Sequence, residues 1–125
     1  LIILSNGKNV HPEELEEYIV SMIPYVREVV VYAMLDDQGN ESAITAEAYL
    51  DQQITQDVGW AKASEMFAES MKKVNRHLAA YKRITKTVIR ETEFEKTTTK
   101  KIKRNVLAQN GSNIMAPNKE VVKDA

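Results

Sequence analysis

Between Phe94 and Arg104 the chain reads FEKTTTKKIKR, and five of the nine residues from Lys96 onward are basic. Ammonium groups at this density resist burial and suit an encounter with an anion. Lys101 directly precedes Ile102, an apolar residue able to anchor the run while the lysine projects. Lysine neutralises a phosphate as a compact point charge on a long stem. At an effective dielectric of about 20 and a separation of about 4 Å, one such pair is worth roughly 4 kcal/mol before desolvation. Taken alone, the run reads first as a solvated or nucleic-acid-facing patch. Gly7, taken alone, is a turn glycine.

Other chemistries are missing from the sequence. It has no phosphate-cradling glycine loop of the GxxxxGK[ST] or GxGxxG kind, and no GxSxG nucleophile elbow. Cysteine is absent, which excludes disulfides and thiolate metal sites, and the two histidines, His11 and His77, are far apart in the chain. No metal site is expected. The carboxylates Glu13, Glu14, Glu16 and Glu17 fall on the first turns of a helix, where its dipole favours them without any catalytic role.

The elements that must position these groups follow from periodicity. LIIL, Ser5-Asn6-Gly7 and Lys8-Asn9-Val10 predict a tight hairpin, since Asn-Gly tolerates positive φ. Pro12 opens a helix with Leu15, Tyr18, Ile19, Met22 and Ile23 on its apolar face, and Pro24 ends it. Val29 to Leu35 predicts a strand. After a polar loop, Ile44, Ala46, Ala48 and Leu50 alternate with Thr45, Glu47 and Tyr49, predicting an antiparallel partner with one buried face. Trp60, Ala63, Phe67, Met71, Val74 and Leu78 form the core stripe of a long helix over 60–78. A strand over 84–89, a basic loop, a short helix over 101–108 and a polar, mobile tail over 110–125 complete the chain. The expected class is α+β, a small antiparallel sheet flanked by helices.

At 125 residues the chain is one domain with one core. No apolar run reaches membrane-spanning length and no signal-peptide pattern opens the chain, so the default location is cytoplasmic. The net charge of −1 hides a division: residues 1–69 carry 3 basic and 13 acidic side chains, and residues 70–125 carry 14 and 5. Either the halves compensate within the domain, or the second half offers a basic surface to a nucleotide, a phosphate-bearing cofactor or a nucleic acid. Leu1 opens directly into an apolar strand, which leads us to expect a fragment of a larger polypeptide.

Three blocks, in order, carry a resemblance. SNGKNVHPEELE at 5–16 resembles the Gly-x-x-Val-x-Pro-x-Glu-Ile-Glu block of adenylate-forming enzymes, which include acyl-CoA synthetases, peptide-synthetase adenylation domains and luciferases. AYKRI at 80–84 resembles their Tyr-Lys-x-Pro block, with Ile84 where Pro is usual. EKTTTKKIKR at 95–104 is similar to the Pro-Lys-Thr-x-Ser-Gly-Lys-Ile-x-Arg block, with Glu95 in place of Pro and Lys100 in place of Gly. Residues 1–109 therefore resemble the mobile C-terminal lid domain of such an enzyme. The wording is most like bacterial long-chain fatty acid–CoA ligases.

The resemblance implies a two-step reaction: a carboxylate attacks the α-phosphate of Mg-ATP, and coenzyme A then displaces AMP to form a thioester. Alignment on Ile102 puts the catalytic lysine of adenylation at Lys101, with Lys100 the alternative register. Ser5, Asn6, Gly7 and Lys8 would serve coenzyme A after the domain rotates, Gly7 along the pantetheine tunnel and Lys8 towards the phosphates. ATP, Mg2+ and coenzyme A, an N-terminal ATP- and acyl-binding domain of the same polypeptide, and a fatty acid are the implied partners, with no nucleic acid. The isolated fragment would be inactive. An aryl- or amino-acid-activating ligase is the alternative within the class, and a nucleic-acid-binding module the alternative outside it.

Overall fold

The computed structural model describes residues 1–4 and 6–96. The predicted helix over 101–108, the tail over 110–125, Lys100, Lys101 and Ser5 lie outside the described residues.

A short hairpin opens the chain, β1 (Ile2–Ile3) paired antiparallel with β2 (Asn9–Val10), Ile2 opposite Val10. Helix α1 (Pro12–Met22) follows, with Pro12 in its first turn and Glu13 and Glu14 at its positive end. It buries Leu15 and Ile19, and Ile23 at its C-cap is buried too. Met22, expected on that face, is the last residue of the helix and is 42% exposed.

Strand β3 (Val26–Leu35) pairs antiparallel with β4 (Glu41–Leu50), as expected, and starts three residues earlier than the β-branched run suggested. Strand β5 (Lys86–Arg90) lies on the other side of β4, in the order β3-β4-β5, and runs parallel to it. The class is α+β, but the sheet is mixed. The long connection between β4 and β5 is the cause: parallel neighbours need a crossover carrying a helix, and residues 51–85 supply one. Within it lie α2 (Gln52–Val58), α3 (Trp60–Asn75) and a single 3₁₀ turn at Ala80–Lys82.

Helix α2 was absent from the sequence reading. It buries none of its own residues, so it has no apolar stripe to betray it. Local chemistry makes it instead: the Asp51 carboxylate accepts from the Gln53 N–H at 3.0 Å at its start, and Gly59 at φ +87° separates it from α3. In α3 the predicted stripe holds, with Ala63, Phe67, Met71 and Val74 buried. The helix stops at Asn75, before Leu78.

The two faces of the sheet differ in kind. Successive side chains alternate, so Val29, Val31, Ile44, Ala46, Ala48 and Ile89 share one largely apolar face, with Thr87 opposite Ala46. Helix α1 packs on β3 and α3 on β5. On the other face the register aligns Val30, Tyr32, Thr45, Glu47, Val88 and Arg90. Thr45 and Glu47 were expected to face solvent, yet both are 0% exposed. The segment after β5 returns to the Arg90 end of that face, where Phe94 is buried against the Arg90 guanidinium.

Candidate functional site

Asn6, Gly7 and Lys8 occupy the β1–β2 connection. The Leu4 N–H donates to the Lys8 carbonyl at 2.9 Å, and the Gly7 N–H donates to the Leu4 carbonyl at 2.9 Å. These two bonds close the hairpin turn, which ends in a left-handed residue at Gly7. Gly7 takes φ +85°, and a Cβ built on it would meet nothing within 4 Å. The turn therefore needs glycine for its backbone, and it points into open space. The Asn6 side-chain carbonyl braces it by accepting from the Lys8 N–H at 3.0 Å.

The second block stands beside this turn. Lys8 Nζ lies 5.3 Å from the centroid of the Tyr81 ring, and Lys82 Nζ lies 5.7 Å from the same centroid. Both ammonium groups are within cation–π range of one aromatic ring. Asn75, the last residue of α3, holds the block in place. Its side-chain N–H donates to the Ile84 carbonyl at 2.8 Å, and its side-chain oxygen accepts from the Ile84 N–H at 2.9 Å. Proline at 84 would have no N–H to give, so the Ile-for-Pro departure gains a hydrogen bond the usual residue could not make. An adjoining cleft of about 280 Å³ takes in His11, Glu14, His77 and Lys82. The two histidines are thus brought to one cleft despite their distance in sequence. No group of three or more His, Cys, Asp or Glu side chains able to hold a metal exists among the described residues.

The third block begins at the other end of β5. Phe94 is buried, and its N–H donates to Glu28 Oε1 at 3.0 Å. Glu28 Oε2 receives Lys96 Nζ at 2.5 Å, Lys96 Nζ also donates to the Phe94 carbonyl at 3.2 Å, and Glu93 lies 3.5 Å from it. The hydrogen bond to Glu28 holds the Lys96 ammonium above the ordinary lysine range. One carboxylate of β3 therefore grips both the backbone and a side chain of the segment that leads to Lys101.

Behind this grip lies a buried polar row. The Tyr32 hydroxyl donates to Glu47 Oε1 at 2.9 Å, and Arg90 Nη1 donates to Glu47 Oε2 at 2.9 Å. The Arg90 guanidinium sits 4.1 Å from the Phe94 ring centroid. Burial pushes the Glu47 carboxyl upward, and the Tyr32 hydrogen bond and the Arg90 charge pull it back. Burial, with the neighbouring Glu47 charge, pushes the Tyr32 hydroxyl up. Neither Glu28 nor Glu47 was singled out from the sequence. A lone carboxylate inside a β-branched run, as in Arg27-Glu28-Val29, was the available signal.

The structure thus places Asn6–Lys8 beside Tyr81, ahead of β5, and the root of the lysine-rich segment beyond the far end of β5. Five residues of strand span roughly 17 Å at about 3.3 Å each. A unit of three helices and two small sheets, with a glycine turn at one end and the root of a basic run at the other, is a small α+β domain of a recognised kind. The model of the AMP-binding enzyme C-terminal domain matches residues 1–114, and the chain belongs to that family.

Solved structures agree on the fold. A fatty acyl CoA synthetase of Mycobacterium tuberculosis is 28% identical, with a TM-score of 0.64 over 89% of this chain and 20% of its own. A benzoate CoA ligase of Burkholderia xenovorans is 27% identical, with a TM-score of 0.62 over 81% of this chain and 19% of its own. The A domain of carboxylic acid reductase from Segniliparus rugosus, at 21% identity, shares the fold with a TM-score of 0.70 over 95% of this chain and 20% of its own. The chain spans about a fifth of the length of these structures. No curated protein sequence matches it. Among the described residues, no helix is long and apolar enough to cross a membrane.

Proposed function

We propose that this chain is the C-terminal lid of an AMP-forming acyl-CoA ligase acting on long-chain fatty acids. The observation that carries the reading is membership of the family over residues 1–114, a span that includes the block holding Lys101. The ATP and acyl sites belong to an N-terminal region of the same polypeptide, and the lid alone has no activity.

Adenylation brings a carboxylate against the α-phosphate of Mg-ATP. A positioned cation lowers that barrier by stabilising charge that develops in the transition state. Lys101 is that cation, and its neighbour Lys100 is the fallback. In the second step coenzyme A enters past Ser5, Asn6 and Gly7, where the lack of a side chain at Gly7 permits close approach. Lys8, with Lys82 across the Tyr81 ring, supplies positive charge for the phosphates of coenzyme A. The distance along β5 between the two regions supports their use in separate steps.

The choice of a long-chain fatty acid rests on the wording of the first block and on 28% identity to a fatty acyl CoA synthetase. The near-equal 27% identity to a benzoate CoA ligase favours an aryl acid as the second reading. The full-length ligase, assayed for pyrophosphate release with palmitate and with benzoate, separates them. Palmitate turnover at least tenfold above benzoate supports the first reading, and the reverse order replaces it. Lys101→Ala in that enzyme should abolish pyrophosphate release with the preferred acid, and unchanged release would transfer the role to Lys100.

A further inference from the structure

Glu28 on β3 grips the segment after β5, and it does so twice. Its Oε1 accepts the Phe94 N–H at 3.0 Å and its Oε2 holds Lys96 Nζ at 2.5 Å. Lys96 closes the loop on itself by donating to the Phe94 carbonyl at 3.2 Å. Beneath it, Phe94 lies buried against the Arg90 guanidinium, which Glu47 holds in turn. A backbone amide, a backbone carbonyl and an ammonium group are thereby fixed on a rigid strand, at the last described turn before the lysine-rich run.

We propose that Glu28, acting through Lys96, is a positioning residue for adenylation: it sets the origin from which Lys101 reaches the phosphate. This inference rests on the reading of Lys101 as the adenylation lysine. Lys101 follows Lys96 by five residues, so the clamp fixes the root of the run that carries it. Release of the root lets that origin wander, and a displacement of about 1 Å costs on the order of 100-fold in a well-aligned reaction. Asn6 to Lys8 lie at the far end of β5, so the thioester step does not depend on this root. The ion pair is part-buried, its side chains 28% and 16% exposed. Its value lies in direction: two contacts on one carboxylate define an orientation that either alone would leave free.

The test uses full-length ligase carrying Glu28→Gln, Lys96→Met or Lys96→Arg, with Lys101→Ala in parallel. Glu28→Gln keeps an acceptor for the Phe94 N–H and removes the charge that holds Lys96. Glu28→Gln and Lys96→Met should lower the adenylation rate about 10- to 100-fold, on the scale of that misplacement. Lys96→Arg should restore most of the loss, and thioester formation from supplied acyl-adenylate should stay close to wild type in every variant. Combined with Lys101→Ala, Glu28→Gln should add almost nothing, because both act through one group. Equal losses in both half-reactions, undiminished adenylation, or an additive loss in the double variant would each overturn the proposal. If Lys101→Ala adenylates normally while Glu28→Gln does not, the assignment of Lys101 is what fails, and the clamp serves another group.

Discussion

Replacing Arg90 by Met removes the only cation that Glu47 contacts among the described residues, at a site where the Glu47 side chain is 0% and that of Arg90 13% exposed. Breaking a buried pair from one side leaves an uncompensated charge and costs about 3–5 kcal/mol. Loss of the cation–π contact with Phe94 at 4.1 Å adds about 0.5–1 kcal/mol. The stranded carboxyl escapes part of the penalty by taking a proton, so the cost must depend on pH. Lowering the pH favours the neutral carboxyl and so lowers the penalty. Urea unfolding at pH 7.5 and 5.5 should therefore show a smaller destabilisation at the lower pH. Replacing both partners, Arg90→Met with Glu47→Leu, should recover most of the loss, since well-packed apolar pairs match or exceed buried ion pairs. Arg90 Nε, buried without a partner among the described residues, points the same way. A single-variant cost below about 1 kcal/mol, or one that ignores pH, would refute the reasoning.

Two further outcomes follow from the same geometry. Glu47 has a folded-state pKa above its unfolded value of about 4.3, so its contribution to stability is full below that value and is lost as pH rises through the folded pKa. Glu47→Gln should gain on the wild type in thermal midpoint as pH is raised from about 4 to about 7, and a relative loss would contradict the sign. At Gly7, φ is +85° and a Cβ meets nothing within 4 Å, so Gly7→Ala should cost only the left-handed backbone penalty, about 1–2 kcal/mol by urea unfolding. A cost above about 3 kcal/mol would mean that the turn packs inside the domain.

Periodicity made the first hairpin, α1, the β3–β4 pair and the stripe of α3 legible, because each buries one face at a regular interval. It is silent on strand direction, and the parallel pairing of β4 with β5 follows from the length of the crossover between them. Helix α2 buries nothing, and its Asp51 cap and Gly59 terminator were its sole marks. Alternation placed Glu47 in solvent, and the residue is buried because Tyr32 and Arg90, distant in sequence, satisfy it from two neighbouring strands. The candidate residues at 6–8 and 80–84 were readable as blocks. Their contact across the Tyr81 ring was not, since it depends on how the hairpin meets the end of α3.

The central claim is that two ends of one small domain serve two successive reactions. The most direct measurement compares Lys101→Ala and Gly7→Leu in the full-length enzyme, each followed by rapid quench through both half-reactions. Lys101→Ala should lose acyl-adenylate formation while still passing a supplied adenylate to coenzyme A. Gly7→Leu should form the adenylate at close to the wild-type rate and fail at the transfer. Two variants that slow both steps alike would contradict that division of labour.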